Sequence, residues 1–171
     1  AVLALELLAS RIMTPYFGVS LYIWTGILSI TLVALAIGYR LGGRLARGRG
    51  NAIAGAARLA QLYMILPAVA AFAIMLACLV YPHLFPALAR ADLVLGSFAA
   101  CLLLLFVPLV AASAMNPLLV ALLLARGAGP TGDAGAGTVF FVSTIGSVFG
   151  VFITAFALIP ALSNFSATLA V

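Results

Sequence analysis

The sequence has very little charge. Only 6% of its 171 residues are charged, whereas a soluble domain has about 25%. Lysine is absent, and eight arginines against three acids give a net charge of +5. With 67% hydrophobic residues and a mean hydropathy of +1.35, this composition excludes a soluble globular domain and predicts a polytopic membrane protein. Most of the arginines lie between apolar runs, so they indicate membrane orientation and not a nucleic-acid surface.

Residues that bind metals or perform catalysis are scarce. His83 is the only histidine, and the two cysteines, Cys78 and Cys101, both lie inside apolar runs. The sequence has no metal-cluster spacing, no disulfide framework and no phosphate-binding loop. It also lacks the nucleophile, base and metal that chemistry inside a helical bundle would need. We therefore predict no metal, no cofactor and no catalytic residue, and we expect no nucleic-acid partner.

Apolar runs divide the chain into about six predicted transmembrane helices. A helix needs about 20 residues to cross the hydrocarbon core of a bilayer. We expect one all-α domain over residues 1–171, with an outer loop at 81–92, and six helices would equal half of a major-facilitator-like arrangement. The predicted spans are residues 1–14, 21–41, 59–81, 93–124 with a proline kink, 138–160, and a truncated run at 161–171.

Arginines cluster between the second and third predicted spans. The positive-inside rule identifies this segment as a solvated cytoplasmic loop. The alternative is a dedicated site for a lipid or nucleotide phosphate. The segment also resembles the short basic loop between the second and third helices of major facilitator transporters. Its arginines are Arg40, Arg44, Arg47, Arg49 and Arg58.

Small residues recur at helical spacing in two of the predicted spans. In the fifth span they fall on one stripe, which predicts a face that another helix can approach closely. The neighbouring helix would belong either to this bundle or to a partner, so we expect contacts with this chain itself or with other membrane subunits. Gly38 and Gly42 form a second pair of this kind. The stripe consists of Ser143, Gly146, Ser147, Gly150 and Thr154.

Three polar side chains are candidate solute-binding residues. Glu6 would lie about 14 Å along a helix from the proline that ends the first run, near the bilayer midplane, where acids are usually functional. Ser113 and Asn116 lie between Pro108 and Pro117, where a broken helix would expose carbonyl groups to a solute pathway. The alternative for Glu6 is a protonated carboxyl bonded to another helix. For Ser113 and Asn116 it is local repair of the proline kink.

Several segments of the chain together resemble a known family. They are ELLASRIMTPYFG, LYIWTGILSITLVALAIGYRLGGRLA, SAMNP, and STIGSVFG with FALIP. Over nearly the whole chain, the sequence resembles the membrane domain of bacterial spermidine-synthase-like (polyamine aminopropyltransferase-like) integral membrane proteins. The resemblance implies a multi-pass protein of the bacterial inner membrane, in which a soluble aminopropyltransferase-like domain usually follows the helices. These residues contain no such domain, so no catalytic residue is carried over.

Three functional hypotheses follow from these observations. The first is a non-catalytic module that acts as a scaffold or accessory subunit of a membrane complex or of a spermidine-synthase-like protein. The second is a transporter or substrate-delivery module for polyamines or another small cationic solute, with Glu6 supplying negative charge. The third is the membrane part of an aminopropyltransferase whose catalytic domain lies outside this chain.

Overall fold

The computed structural model describes residues 2–18, 20–47, 52–125 and 133–161, and nearly all of these are helical. No strand occurs within those ranges, which confirms the all-α prediction. The helices are α1 (Val2–Phe17), α2 (Leu21–Ala46), α3 (Ala52–Ala91), α4 (Leu93–Ala125) and α5 (Asp133–Ile153), followed by a π-helical turn (Thr154–Leu158) and a short α6 (Ile159–Ala161).

Four helical segments are long and apolar enough to cross a membrane. They indicate a multi-pass membrane protein in a lipid bilayer. The predicted number of about six spans is not confirmed, because α1 has only 16 residues and the last predicted run lies outside the described residues from 162 onward. The four segments are Leu21–Ala46, Gly55–Ala91, Leu93–Ala125 and Gly135–Ala161.

The first helix extends past the proline at which the sequence predicted its end. α1 passes through Pro15 and ends at Phe17, where Gly18 adopts a left-handed backbone with φ +75°. The N–H of Gly18 donates to the carbonyl oxygen of Thr14 at 2.9 Å. Glycine closes the helix here because it adopts this conformation without steric cost.

α4 is the central helix of the bundle, and α5 lies at its edge. In the most apolar 18-residue window of each segment, 44% of the residues are buried in α4 but only 6% in the segment containing α5. α4 takes this place because it is apolar around its whole circumference. The sequence had instead presented the fifth span as a helix that could hold the bundle together. The core includes Met13 and Phe17 of α1, Ile27 of α2, Cys78 and Phe85 of α3, and Cys101, Leu105 and Leu109 of α4.

α2 and α4 run parallel to each other, although α3 separates them in the chain. Gly26 faces Cys101 near the start of both helices, and Gly38 faces Ser113 further along both. α3 therefore crosses the bundle in the opposite direction, and α2 and α4 both end on the same side.

The closest approach of α2 to α4 is at two glycines. A Cβ added to Gly38 would lie 2.6 Å from the carbonyl oxygen of Val110, and one added to Gly42 would overlap the backbone of Ala114. Backbone atoms cannot move aside as the end of a side chain can, so these positions require glycine. Gly38 and Gly42 thus lie at a helix–helix contact within the chain.

The segment at 81–92, expected as an outer loop, is mostly helical. α3 continues through three prolines to Ala91, so the loop prediction is wrong. Phe85 gives the physical reason, because its side chain is fully buried in an aromatic cluster that offsets the backbone hydrogen bonds lost at the prolines. We call this side of the bundle the aromatic end. The rings around Phe85 are those of Tyr16, Phe17 and Tyr81, at centroid distances of 5.5, 5.8 and 5.6 Å.

The arginines at 40–58 lie largely on helices instead of in one loop. Arg40 and Arg44 are exposed in the last two turns of α2, Arg47 follows its last residue, and Arg58 is exposed near the start of α3. Arg49 lies outside the described residues. The prediction of a basic loop over this whole range is therefore wrong, because only 47–51 connects the two helices. We call this side of the bundle the basic end.

Two neighbouring glycines test the contact between α2 and α4. We expect Gly42→Ala to lower the free energy of unfolding by about 1–3 kcal/mol, because the new methyl group overpacks the contact with α4. Gly43→Ala is the matched control, since nothing lies within 4 Å of its added Cβ, and it should be neutral or slightly stabilising. Denaturation of both variants in micelles measures the difference. Equal stabilities would show that the two helices do not pack as described.

Candidate functional site

A groove of about 710 Å³ lies between α4 and α5. Its volume falls within the range of about 300–1,000 Å³ that is usual for small-ligand sites. Among the described residues that line it, none is charged, but several carry hydroxyl or amide groups. These polar residues are Tyr39 of α2, Tyr63 of α3, Ser113 and Asn116 of α4, and Thr138, Ser143, Thr144 and Ser147 of α5.

The α4 wall of the groove carries both polar residues predicted on that helix. α4 is one continuous α-helix through Pro108 and Pro117, so the broken-helix prediction is wrong. Asn116 lines the groove and is half-buried, while Ser113 is 2% exposed and lies deeper, against α2. The two side chains therefore share one site, as their spacing had indicated, but they do so on an intact helix.

The hydroxyl of Ser113 joins α4 to α2. It donates to the carbonyl oxygen of Val110 at 3.2 Å and lies 3.5 Å from the carbonyl oxygen of Ala34 in α2. Neither acceptor is a carbonyl left unpaired by a proline, which would be that of Leu104 or of Ser113 itself. The hydroxyl therefore does not repair a kink. It positions α4 against α2 instead.

The α5 wall carries the predicted small-residue stripe. Ser143 and Ser147 line the groove, and among the described residues nothing lies within 4 Å of a Cβ added to Gly146. Gly150 is half-buried, and Thr154 is buried where the π-helical turn reaches α1. The stripe thus packs tightly at its end only. At Gly146, close packing on another helix of this chain does not occur among the described residues.

α5 packs along α1 and against α4, and two further contacts fix it and the helical turns that follow it. At the basic end, the rings of Tyr39 and Phe140 meet edge to face at 6.3 Å. At the other end, the Arg11 guanidinium donates to the carbonyl oxygen of Ile159 at 3.0 Å. The π-helical turn just before Pro160 fits a proline, which cannot donate the N–H of a regular α-helix.

Three residues at or near the groove, namely Tyr39, Tyr63 and Arg11, were not predicted from the sequence as site residues. Tyr39 and Tyr63 come from different helices, and no spacing in the sequence places them beside α5. Arg11 did give a signal, because an arginine within an apolar run needs a polar partner. Its partner is a backbone carbonyl 148 positions away, and no sequence pattern identifies such an acceptor.

Glu6 lies opposite the middle of α4. The thiol of Cys101 meets the sulfur of Met13 at 3.5 Å, and α1 runs antiparallel to α4. Glu6 is therefore about 10 Å further toward the basic end than Met13, near the midpoint of α4. The prediction of a carboxyl group near the bilayer midplane stays a prediction.

The side chain of Thr31 on α2 lies close to the carboxyl group of Glu6. The Thr31 hydroxyl is buried and makes no hydrogen bond of regular geometry with the described residues. The groove begins one turn away from Glu6, at Val2 and Leu3, and Glu6 itself does not line it. The structure thus separates Glu6 from the two other predicted solute-binding residues.

No metal centre emerges from the described part of the chain, where no three His, Cys, Asp or Glu side chains come together. His83 is exposed near the aromatic end, and both cysteines are buried. The groove is therefore the candidate site, and its chemistry is limited to uncharged hydrogen bonding and aromatic contact.

Comparison of the chain with protein-family models, curated proteins and solved structures gives no match. The resemblance to spermidine-synthase-like membrane domains therefore stays a prediction that rests on the quoted sequence segments alone.

The unpaired hydroxyl of Thr31 gives a test of the Glu6 environment. We expect Thr31→Val to change the free energy of unfolding by less than about 0.5 kcal/mol, because the substitution keeps the shape and breaks no hydrogen bond. Ser113→Ala is the comparison variant, and it should cost about 1 kcal/mol through its lost hydrogen bonds. The contrary result would be a loss of stability above about 1 kcal/mol for Thr31→Val in the unaltered protein, but no such loss when Glu6→Leu is already present. That result would show that the two side chains are hydrogen-bonded.

Proposed function

We propose that this chain is a non-catalytic integral membrane module that acts as a scaffold or accessory subunit. In this proposal, the groove between α4 and α5 receives a transmembrane helix of another membrane protein. One observation carries the proposal: Ser143 and Ser147 of the small-residue stripe line an open groove, and among the described residues no atom lies within 4 Å of a Cβ added to Gly146. Small side chains let helix backbones approach closely in a bilayer, where apolar burial alone does not drive association.

The shape and lining of the groove support this role. The Tyr39 ring contacts Phe140 of α5, and the Arg11 guanidinium holds Ile159 of α6, so a partner would have less of these walls to order on binding. Asn116, Ser143 and Ser147 offer hydrogen-bonding groups to a neighbouring helix, and such bonds contribute about 0.6 kcal/mol each within membranes. The groove therefore offers both close packing and polar contact.

The partner and the orientation follow from the sequence. Given the resemblance described above, we assign the partner to the spermidine-synthase-like proteins of the bacterial inner membrane. The basic end faces the cytoplasm in this proposal, by the positive-inside rule. A cytoplasmic aminopropyltransferase domain on the partner, or elsewhere in the same protein, would then lie on the side where Arg40, Arg44 and Arg58 emerge.

Cysteine cross-linking in native membranes tests the proposal. We expect Ser147→Cys, inside the groove, to form a cross-link to a second membrane protein with a short thiol-reactive linker. The native cysteines Cys78 and Cys101 are buried, so their background reaction should be small. The product is identified by peptide mass spectrometry, which also shows whether the linked residue belongs to a transmembrane segment.

The control for this experiment is Phe149→Cys on the same helix. Phe149 is 64% exposed and does not line the groove, so its cross-links report lipid-facing encounters only. Equal yields and the same products from both variants would contradict a partner helix in the groove.

A small cationic solute is the second candidate occupant of the groove. The observation in its favour is that the rings of Tyr39, Tyr63 and Phe140 line the same space as the Asn116 amide. Aromatic faces attract ammonium groups, and the amide oxygen can accept their hydrogen bonds. This arrangement would hold a polyamine without help from the carboxylate of Glu6. Such a site would serve either a substrate-delivery module or the membrane part of an aminopropyltransferase.

Binding of radiolabelled spermidine to the purified protein distinguishes the two candidates. If the solute occupies the groove, we expect Tyr63→Leu to weaken binding about fivefold, the equivalent of one cation–π contact of about 1 kcal/mol. Tyr22→Leu is the control, because Tyr22 is 56% exposed near the start of α2, away from the groove. Absence of saturable binding to the unaltered protein would remove the solute candidate and leave the scaffold proposal standing.

A further inference from the structure

Three arginines form a basic stripe on one side of the end of α2. Arg40, Arg44 and Arg47 are separated by four and three residues, so they fall within an arc of about 60° when each residue turns the helix by about 100°. All three are exposed. The stripe exists because α2 continues as a helix to Ala46, whereas a loop would have dispersed these side chains.

The stripe lies at the depth of lipid headgroups. Trp24 is exposed near the start of α2, at the interfacial position typical of tryptophan. Arg40 is about 24 Å further along the helix and Arg44 about 30 Å, while the hydrocarbon core is about 30 Å thick. Arg40 therefore lies about 6 Å inside the far boundary of the hydrocarbon, which its long side chain can reach, and Arg44 and Arg47 lie at and just beyond that boundary, in the headgroup region.

The same side of α2 also faces lipid nearer the start of the helix. Val33 and Ile37 precede Arg40 by seven and three residues, so all three share a side of the helix. Val33 is 51% exposed and Ile37 is 38% exposed. Gly38 and Gly42 lie on the opposite side, against α4. An apolar strip thus leads directly to the arginines on a surface that the bundle leaves open.

The described acidic side chains do not neutralise this stripe. Glu6 lies opposite the middle of α4, and Asp92 is at the aromatic end, where its carboxylate accepts the N–H of Leu95 at 2.8 Å. Three guanidinium groups beside an apolar strip match a molecule with an anionic phosphate and an acyl chain. Guanidinium groups bind phosphate oxygens through paired, charge-assisted hydrogen bonds.

We infer that the outward side of α2 is a binding site for an anionic phospholipid. Arg40, Arg44 and Arg47 hold the phosphate, and an acyl chain lies along Ile37 and Val33. The site is on the opposite side of α2 from its contact with α4 and does not use the groove, so the inference does not depend on the scaffold proposal.

Titration of the purified protein with phosphatidylglycerol, followed by native mass spectrometry, tests the inference. The unaltered protein should retain phosphatidylglycerol over phosphatidylcholine. The double substitution Arg40→Gln and Arg44→Gln should weaken phosphatidylglycerol binding about 25-fold, because each arginine contributes about fivefold. The control combines Arg58→Gln with Arg90→Gln, which removes the same charge from exposed positions on α3, and it should bind as the unaltered protein does.

Three results would overturn the inference. An equal loss in the control variant would show that only net charge matters. Equal retention of phosphatidylcholine would show that the apolar strip binds lipid without the arginines. Equally tight binding of soluble glycerol phosphate, added without lipid, would identify a free phosphate site in place of a lipid site. A thermal melt of each variant verifies that lost binding is not lost folding.

Discussion

The close approach of α2 to α4 is the contact on which the rest of the bundle depends. In a bilayer, two apolar helices gain little by exchanging lipid for each other, so their association requires close packing of backbones. Gly38 and Gly42 allow that packing because any side chain there would meet the carbonyl oxygen of Val110 or the backbone of Ala114. The Ser113 hydroxyl adds a polar contact to Ala34 at the same level.

The position of α4 follows from this contact and from the tight turn that joins it to α3. Asp92 caps α4 by accepting the N–H of Leu95. A Cβ added to Gly96 would lie 2.6 Å from the carbonyl oxygen of Leu88, so glycine is required where α4 passes the end of α3. With α2 on one side and α3 on another, α4 has an apolar neighbour on much of its circumference. α1 then packs antiparallel along it, from Met13 at Cys101 to the aromatic end.

α5 packs along α1 and less closely on α4 than α2 and α3 do. Tyr39 meets Phe140 of α5, and the Arg11 guanidinium meets Ile159 of α6. Ser143 and Ser147 face a groove that they share with the Asn116 amide of α4. In the scaffold proposal, a helix of another membrane protein fills this groove. The basic stripe of α2 gives the protein a separate surface for the surrounding lipid.

The sequence by itself determined the membrane class, the all-α fold and the location of long apolar helices, because bilayer thickness and backbone hydrogen bonding leave few alternatives. It also identified the glycine pair at Gly38 and Gly42, since small residues at helical spacing share a side in any α-helix. Loop boundaries were less predictable. The prolines near Phe85 indicated a loop, but burial of that ring in a cluster from α1 and α3 stabilises helix instead.

Only the tertiary structure decided which small-residue surface is filled. The α2 pair and the α5 stripe look alike in sequence, yet Gly38 and Gly42 meet the backbone of α4, whereas Ser143 and Ser147 of the stripe line a groove. Helix packing also separates Glu6 from Asn116. Their positions relative to each other could not be predicted from helical spacing alone. Spacing along a chain determines which residues share a helix side, and only the packing of the helices determines what that side meets.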